Sequence, residues 1–147
     1  MKLLKIGFVL SAFSLLLLSC KTLAQNTKIQ SVEYTNTYGK GGFSSINANK
    51  DSLEASAQGG RTADFPNFKK KINQKDWEKL ISGIDISLLE KTQNGDRRGI
   101  FDGNDEIFRI VTTEKEYEII NASADSENYK QLEQLKTKLN NLLSQYK

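Results

Sequence analysis

The stretch "DSENYKQLEQLKTKLNNLLSQYK", Asp125 to Lys147, decides how the rest of the chain is read. Tyr129, Leu132, Leu135, Leu139, Leu142, Leu143 and Tyr146 recur at spacings of three and four, the period of a helix with one apolar stripe. Lys130, Glu133, Lys136, Lys138 and Asn140 occupy the remaining surface. Asp125 or Ser126 is expected to cap its start. A stripe this wide needs a surface to lie on. The sequence predicts that Leu132, Leu135, Leu139 and Leu142 pack on a sheet, in one core with Trp77 and Leu80.

The sheet is sought upstream. "IFRIVTT" and "YEIINAS" read as two strands joined by a tight turn at "EKE". Ile107 to Val111 are apolar on both parities apart from Arg109, which predicts an internal strand. Near the front, "KIQSVEYTNTYG" places Val32, Tyr34 and Tyr38 on one parity of another strand. Phe43 to Ala48 and Ser52 to Gln58 form a hairpin whose turn is "NANKD", bracketed by Gly41, Gly42, Gly59 and Gly60. Between these groups "INQKDWEKLISG" carries a complete helix start. Asn73 is the cap, Asp76 its capping-box partner, and Ile72 with Trp77 the hydrophobic staple. "DISLLEK" adds an apolar turn. "KKK" at Lys69 to Lys71 reads as a solvated approach to this first helix, in preference to a basic patch facing anionic lipid headgroups, for which three lysines are few. The resulting order is βββ-α-ββ-α. Strands grouped apart from helices indicate α+β: an antiparallel sheet of about five strands with two helices on one face.

The N-terminus is an address. Lys2 and Lys5 precede the uncharged run Ile6 to Leu18, which is shorter than the roughly 20 residues of a membrane span. This is the pattern of a signal peptide, residues 1–19. "LLSC" resembles the lipobox of bacterial lipoproteins, which implies cleavage before Cys20 and acylation of that cysteine. "TLA" resembles an ordinary signal peptidase site, which implies cleavage after Ala24, a signal of residues 1–24 and a free product. Lys21 disfavours the second cut, and the lipobox reading is preferred. Residues 20–27 then form a polar tether and residues 28–147 a single α+β domain. Loss of Lys2 and Lys5 brings the 21 basic and 18 acidic residues close to balance, so no nucleic-acid footprint is expected. Cys20 is the only cysteine, so folding rests on packing without a disulfide.

"DW" followed by Leu80 on the first helix, and "RRGIFDG" before the second strand pair, resemble a family of small exported bacterial lipoproteins and secreted proteins. The resemblance implies the α+β fold and the envelope location and brings no activity with it.

Chemistry is sparse. The chain has no histidine, which excludes Ser-His-Asp and Cys-His catalysis and imidazole metal sites. No catalytic residue, cofactor or metal is expected. The densest polar cluster is Asp96, Arg97, Arg98, Asp102, Asp105 and Glu106. Three readings stand: a solvated loop with local ion pairs, a calcium site whose glycine is misplaced for an EF-hand, or a ligand-binding loop whose arginines grip a carboxylate or phosphate. "NAS" at Asn121 fits a glycosylation acceptor, which a bacterial signal makes irrelevant. The expectation for the whole is an exported, membrane-anchored envelope lipoprotein acting as a non-enzymatic binding module. Its partners would be membrane lipid through an acylated Cys20 and an envelope protein or ligand. The alternative is a secreted protein, either an enzyme inhibitor or a small hydrolase using carboxylates.

Overall fold

The computed structural model describes residues 28–59, 62–98 and 103–147. The expected export signal, Cys20, the expected tether and Asp102 lie outside them. The strands are β1 (Ile29–Tyr38), β2 (Gly42–Asn49), β3 (Ser52–Gln58), β4 (Phe68–Lys71), β5 (Glu106–Thr112) and β6 (Glu116–Ile120). The helices are α1 (Gln74–Ile81), α2 (Ile86–Leu89) and α3 (Lys130–Tyr146), with short 3-10 turns at Gly39–Gly41 and Ala122–Ala124. The strands form one antiparallel sheet in the order β4-β3-β2-β1-β5-β6. The fold is α+β.

Register divides the sheet into two faces. On the inner face, one cross-strand row is Leu53, Ala48, Val32, Ile110 and Tyr117, and the next is Ala55, Ile46, Tyr34, Phe108 and Ile119. The helices cover these rows. Leu132, Leu135, Leu139, Leu142 and Leu143 of α3 are buried in the same core as Trp77 and Leu80 of α1 and Leu89 of α2. Each fully buried leucine contributes roughly 1.5–3 kcal/mol, so the stripe of α3 is the largest helical contribution. The third inner row is different: Ala57, Ser44, Asn36 and Glu106. Here the face beneath the helix turns polar.

The outer face carries a row that crosses all six strands: Lys69, Glu54, Asn47, Glu33, Arg109 and Glu118. Lys69 pairs with Glu54 at 3.1 Å, and Arg109 reaches Glu33 at 3.3 Å and Glu118 at 2.9 Å. Opposite charges facing one another across strands stabilise a sheet modestly, and Arg109 between two carboxylates continues the pattern.

Local signals explain the elements. Asn73 Oδ1 accepts from the Asp76 N–H at 2.8 Å, and the Asp76 carboxylate takes the Asn73 side-chain amide at 2.8 Å. The capping partner thus closes on the cap's side chain. Asn49 Oδ1 accepts from the N–H groups of Asp51 and Ser52 and holds the β2–β3 turn. At the far end of that hairpin Gly59 has φ +101°, and a Cβ on it would lie 2.8 Å from the Gly42 Cα. Only glycine permits both the conformation and the approach.

Two elements exceed the five strands and two helices expected. "FKKK" is β4 and not a solvated approach. Phe68 packs against the core while Lys69 faces Glu54 on the outer side, so the alternation is real although three lysines hide it. The apolar turn at Ile86–Leu89 is a one-turn helix, its first turn held by Asp85 Oδ1 accepting from the Ser87 N–H at 2.8 Å. At α3, Asp125 caps the turn that leads in, accepting from the Asn128 N–H at 3.3 Å, and the helix itself starts at Lys130. Lys138, expected on the solvated face, donates to the Ser82 carbonyl beyond the end of α1 and so ties the two helices together.

Candidate functional site

The structure divides the cluster Asp96, Arg97, Arg98, Asp105 and Glu106 between two places. Asp105 lies immediately before β5, bonded through its backbone to Thr37 of β1, and Glu106 is the first residue of β5; neighbouring side chains along such an extended segment point to opposite faces. Asp105 is 1 % exposed. Its Oδ1 accepts from the Arg98 N–H at 2.6 Å and the Asn121 side-chain amide at 2.7 Å, and its Oδ2 accepts from Arg97 Nε at 3.1 Å. Asn121 sits in the left-handed region at φ 50°. Its amide also donates to the Asp96 carbonyl at 2.6 Å, and its Oδ1 accepts from the Glu106 N–H at 2.9 Å. Gly95 lies against the same residue: a Cβ there would be 2.3 Å from the Asn121 carbonyl oxygen. Asp105 and Asn121 therefore lace the connector between α2 and β5 onto the end of the sheet. The half-exposed Arg97 grips a carboxylate of its own chain. As a loop for capturing an outside anion, it has already used that group. Among the described residues, which leave out Asp102, no three acidic side chains converge. Asn121 of the "NAS" triplet is buried and works as this hub.

Glu106 faces the other way, into the third inner row. Its Oε1 accepts from Lys136 Nζ at 2.6 Å and Tyr34 OH at 3.3 Å, and its Oε2 accepts from Tyr129 OH at 2.5 Å. The Tyr34 ring leans on Phe108 with centroids 5.1 Å apart, and Lys136 Nζ lies 5.1 Å from the Tyr34 centroid. Burial, then the bond to Glu106, raises the Tyr129 hydroxyl well above its ordinary value. Burial raises Tyr34 likewise. Burial pulls Lys136 down, but its bond to Glu106 and the neighbouring Tyr34 outweigh this and the net shift is upward. At neutral pH the lysine is charged and both tyrosines are neutral. None of the three is poised for proton transfer there, since a general base works best with a pKa near the operating pH.

Beside this cluster the polar row opens into a cleft of about 230 Å³ between α3 and strands β1 and β2. Its strand side presents Tyr34, Asn36 and Tyr38, alternate residues of β1, with Ser44 and Ile46 of β2 beneath. Phe65, from the β3–β4 connector, and Lys136 and Asn140 of α3 complete it. Tyr38 OH and Ser44 Oγ are 3.0 Å apart. Asn140 donates its amide to the Lys136 carbonyl at 2.9 Å, which leaves its oxygen available. The Asn36 side chain makes no hydrogen bond to the described residues. A larger trough of about 460 Å³ runs between Gln93–Gly95 and Ala124–Asn128. Part of its polar wall is already engaged, Asp125 holding both Asn128 and the Gln93 N–H, and it has no aromatic ring among its described lining residues.

Sequence reading did not assemble the cleft. It placed Tyr34 and Tyr38 on one parity, and the signal it passed over lies between them. Asn36 and, on β2, Ser44 interrupt an otherwise apolar parity. Lys136 and Asn140, one helical turn apart, lie directly over that interruption. No protein-family model matches the chain, and a search of curated proteins finds no match.

Proposed function

We propose that this is an exported protein of the bacterial cell envelope, anchored by an acylated Cys20, whose folded part is a non-enzymatic binding module. Its ligand seat is the cleft under α3. The observation that carries the binding role is the polar third row. A sheet face covered by a helix is expected to stay apolar to its end, because a buried amide without a partner costs about 1–3 kcal/mol. Asn36 and Ser44 stand there beside an opening and not in sealed core. Concave, partly aromatic sites with a few converging polar groups are the usual seats of small ligands. The charge states of Lys136, Tyr34 and Tyr129 are fixed at neutral pH, which suits holding a ligand better than transferring its protons. Among the described residues no helix is long and apolar enough to cross a membrane.

Two measurements test this reading. Mass spectrometry of the protein from its native membrane fraction should find an acylated Cys20 at the N-terminus, and Cys20→Ala should release the protein from that fraction. A start at Gln25 without lipid mass refutes the anchor. For the module, isotope-labelled protein is titrated with the small-molecule fraction of the envelope and followed by NMR. Shifts gathered at Tyr34, Asn36, Tyr38 and Asn140 are expected. Shifts scattered over the surface, or none, remove the ligand seat.

A further inference from the structure

The chemistry of the cleft narrows what it can hold, and this step rests on the reading of the cleft as a ligand seat. Among the described residues the one charged side chain on its wall is Lys136, and the Glu106 carboxylate 2.6 Å away matches that charge. An anion would have to displace Glu106 from the lysine, and a cation would meet the lysine itself. The site is therefore built for a neutral molecule. Its volume of about 230 Å³ falls below the ~300–1,000 Å³ typical of sites for drug-sized ligands, so it holds one ring and little more. Its surfaces are of two kinds. Tyr34, Tyr38 and Phe65 supply aromatic rings from two parts of the chain. Asn36 supplies an amide that both donates and accepts, Ser44 a hydroxyl, and Asn140 a carbonyl oxygen. An aliphatic chain would waste the second set, and a plain aromatic ring would use little of it. A saturated ring with C–H faces and hydroxyl edges uses both.

We infer that the cleft binds a neutral pyranose sugar, its C–H face against the aromatic rings and its hydroxyls bonded to Asn36, Ser44 and Asn140. The same ring could come as a free monosaccharide or as the exposed end of a glycan. The cleft is open on its outer side, so a second sugar unit attached to the first would project outward.

The test titrates the cell-processed protein with four neutral monosaccharides (glucose, galactose, mannose and N-acetylglucosamine), their homodimers, glucuronate and benzamide. Binding is read by calorimetry and by NMR shifts of the tyrosine rings. At least one neutral sugar is expected to bind, with shifts at Tyr34 and Tyr38. Tyr38→Ala removes one aromatic face and should weaken binding by about tenfold. Asn36→Ala should weaken it as well and serves if Tyr38→Ala fails to fold. Arg109→Gln, on the outer face, should bind as the parent does. Equal affinity for monosaccharide and dimer assigns a free sugar, and tighter binding of the dimer assigns a glycan end. If benzamide or glucuronate binds at these residues and no neutral sugar does, the pyranose assignment falls while the cleft stands as a ligand seat. If none of the probes binds, the pyranose assignment falls and the seat itself is left to the envelope-fraction titration. Sugar binding that survives both Tyr38→Ala and Asn36→Ala places the sugar elsewhere and overturns the proposal.

Discussion

Asp105 and Glu106 are neighbours in the chain and belong to different machines. Asp105 turns away from the helices and is sealed under the connector it fastens, its oxygens taken by Arg97, Arg98 and Asn121. Glu106 turns beneath α3 and stays part-exposed, bonded to Lys136, Tyr34 and Tyr129 beside a cleft. The first carboxylate satisfies backbone and side chains that would otherwise be buried without partners. The second neutralises a lysine and orients two rings. Density of charge along a sequence therefore says little about a site when a strand runs through it, because each step along the strand changes face.

The two carboxylates differ most in what covers them, and α3 covers only Glu106. Truncation after Ser126 deletes α3 and with it the lid over Glu106 and five buried leucines. Cooperative thermal unfolding should disappear, and Leu139→Ala alone should cost about 2–5 kcal/mol by denaturant titration. A truncated chain that melts at the parent temperature would mean that α3 is an arm and not a wall. Next comes the sealed carboxylate. Asp105→Ala leaves the Arg98 N–H and the Asn121 amide without their acceptor and should cost about 3–5 kcal/mol. Trypsin should then cut faster after Arg97 and Arg98, since the connector loses its fastening. Glu106→Gln keeps the shape and loses a part-exposed charge, so about 1 kcal/mol is expected. If Glu106→Gln proves as costly as Asp105→Ala, the division of labour drawn between the two is wrong.

Alkaline pH separates the two carboxylates further. Tyr34 and Tyr129 ordinarily titrate at 10.0 and Lys136 at 10.5, and all three are raised in the fold. The folded chain thus keeps protons that the unfolded chain releases. Their contribution is fully present below pH 10 and is lost as pH rises through the folded-state values. Melting temperature should fall over that range, and less steeply in Glu106→Gln, which loses the carboxylate's share of the shifts while burial still raises both tyrosines. Asp105→Ala should fall as the parent does. The smallest effect expected is that of Asn36→Ala, within about 0.5 kcal/mol of the parent, because its side chain bonds to nothing in the described protein.

What could be read in advance follows from how far each signal travels along the chain. The stripe from Tyr129 to Tyr146 repeats over five turns and led to α3 and its core partners. The cap at Asn73 is a local code and was legible for the same reason. β4 was not, because its evidence is four residues long and three are lysine; only pairing with β3 makes Phe68 an inward residue. The pairing of Asp105 with Asn121 spans 16 residues and depends on one left-handed backbone turn, which no spacing announces. The cleft needs three separated segments at once. Its sole trace in sequence is an asparagine and a serine where apolar residues would continue the pattern.

The short lysine strand has a consequence for how the molecule behaves among its own copies. β4 ends the sheet, and an end strand offers unpaired N–H and C=O groups to any strand that approaches. With only four residues, and Lys69, Lys70 and Lys71 following Phe68, it gives an incoming copy few backbone bonds and a row of like charges. If the protein is tethered to a membrane as proposed, its copies share a plane and meet far more often than they would free in solution. The edge then acts as a spacer against sheet-to-sheet growth into filaments. That growth would be the hazard if Lys69 and Lys71 were replaced by valine.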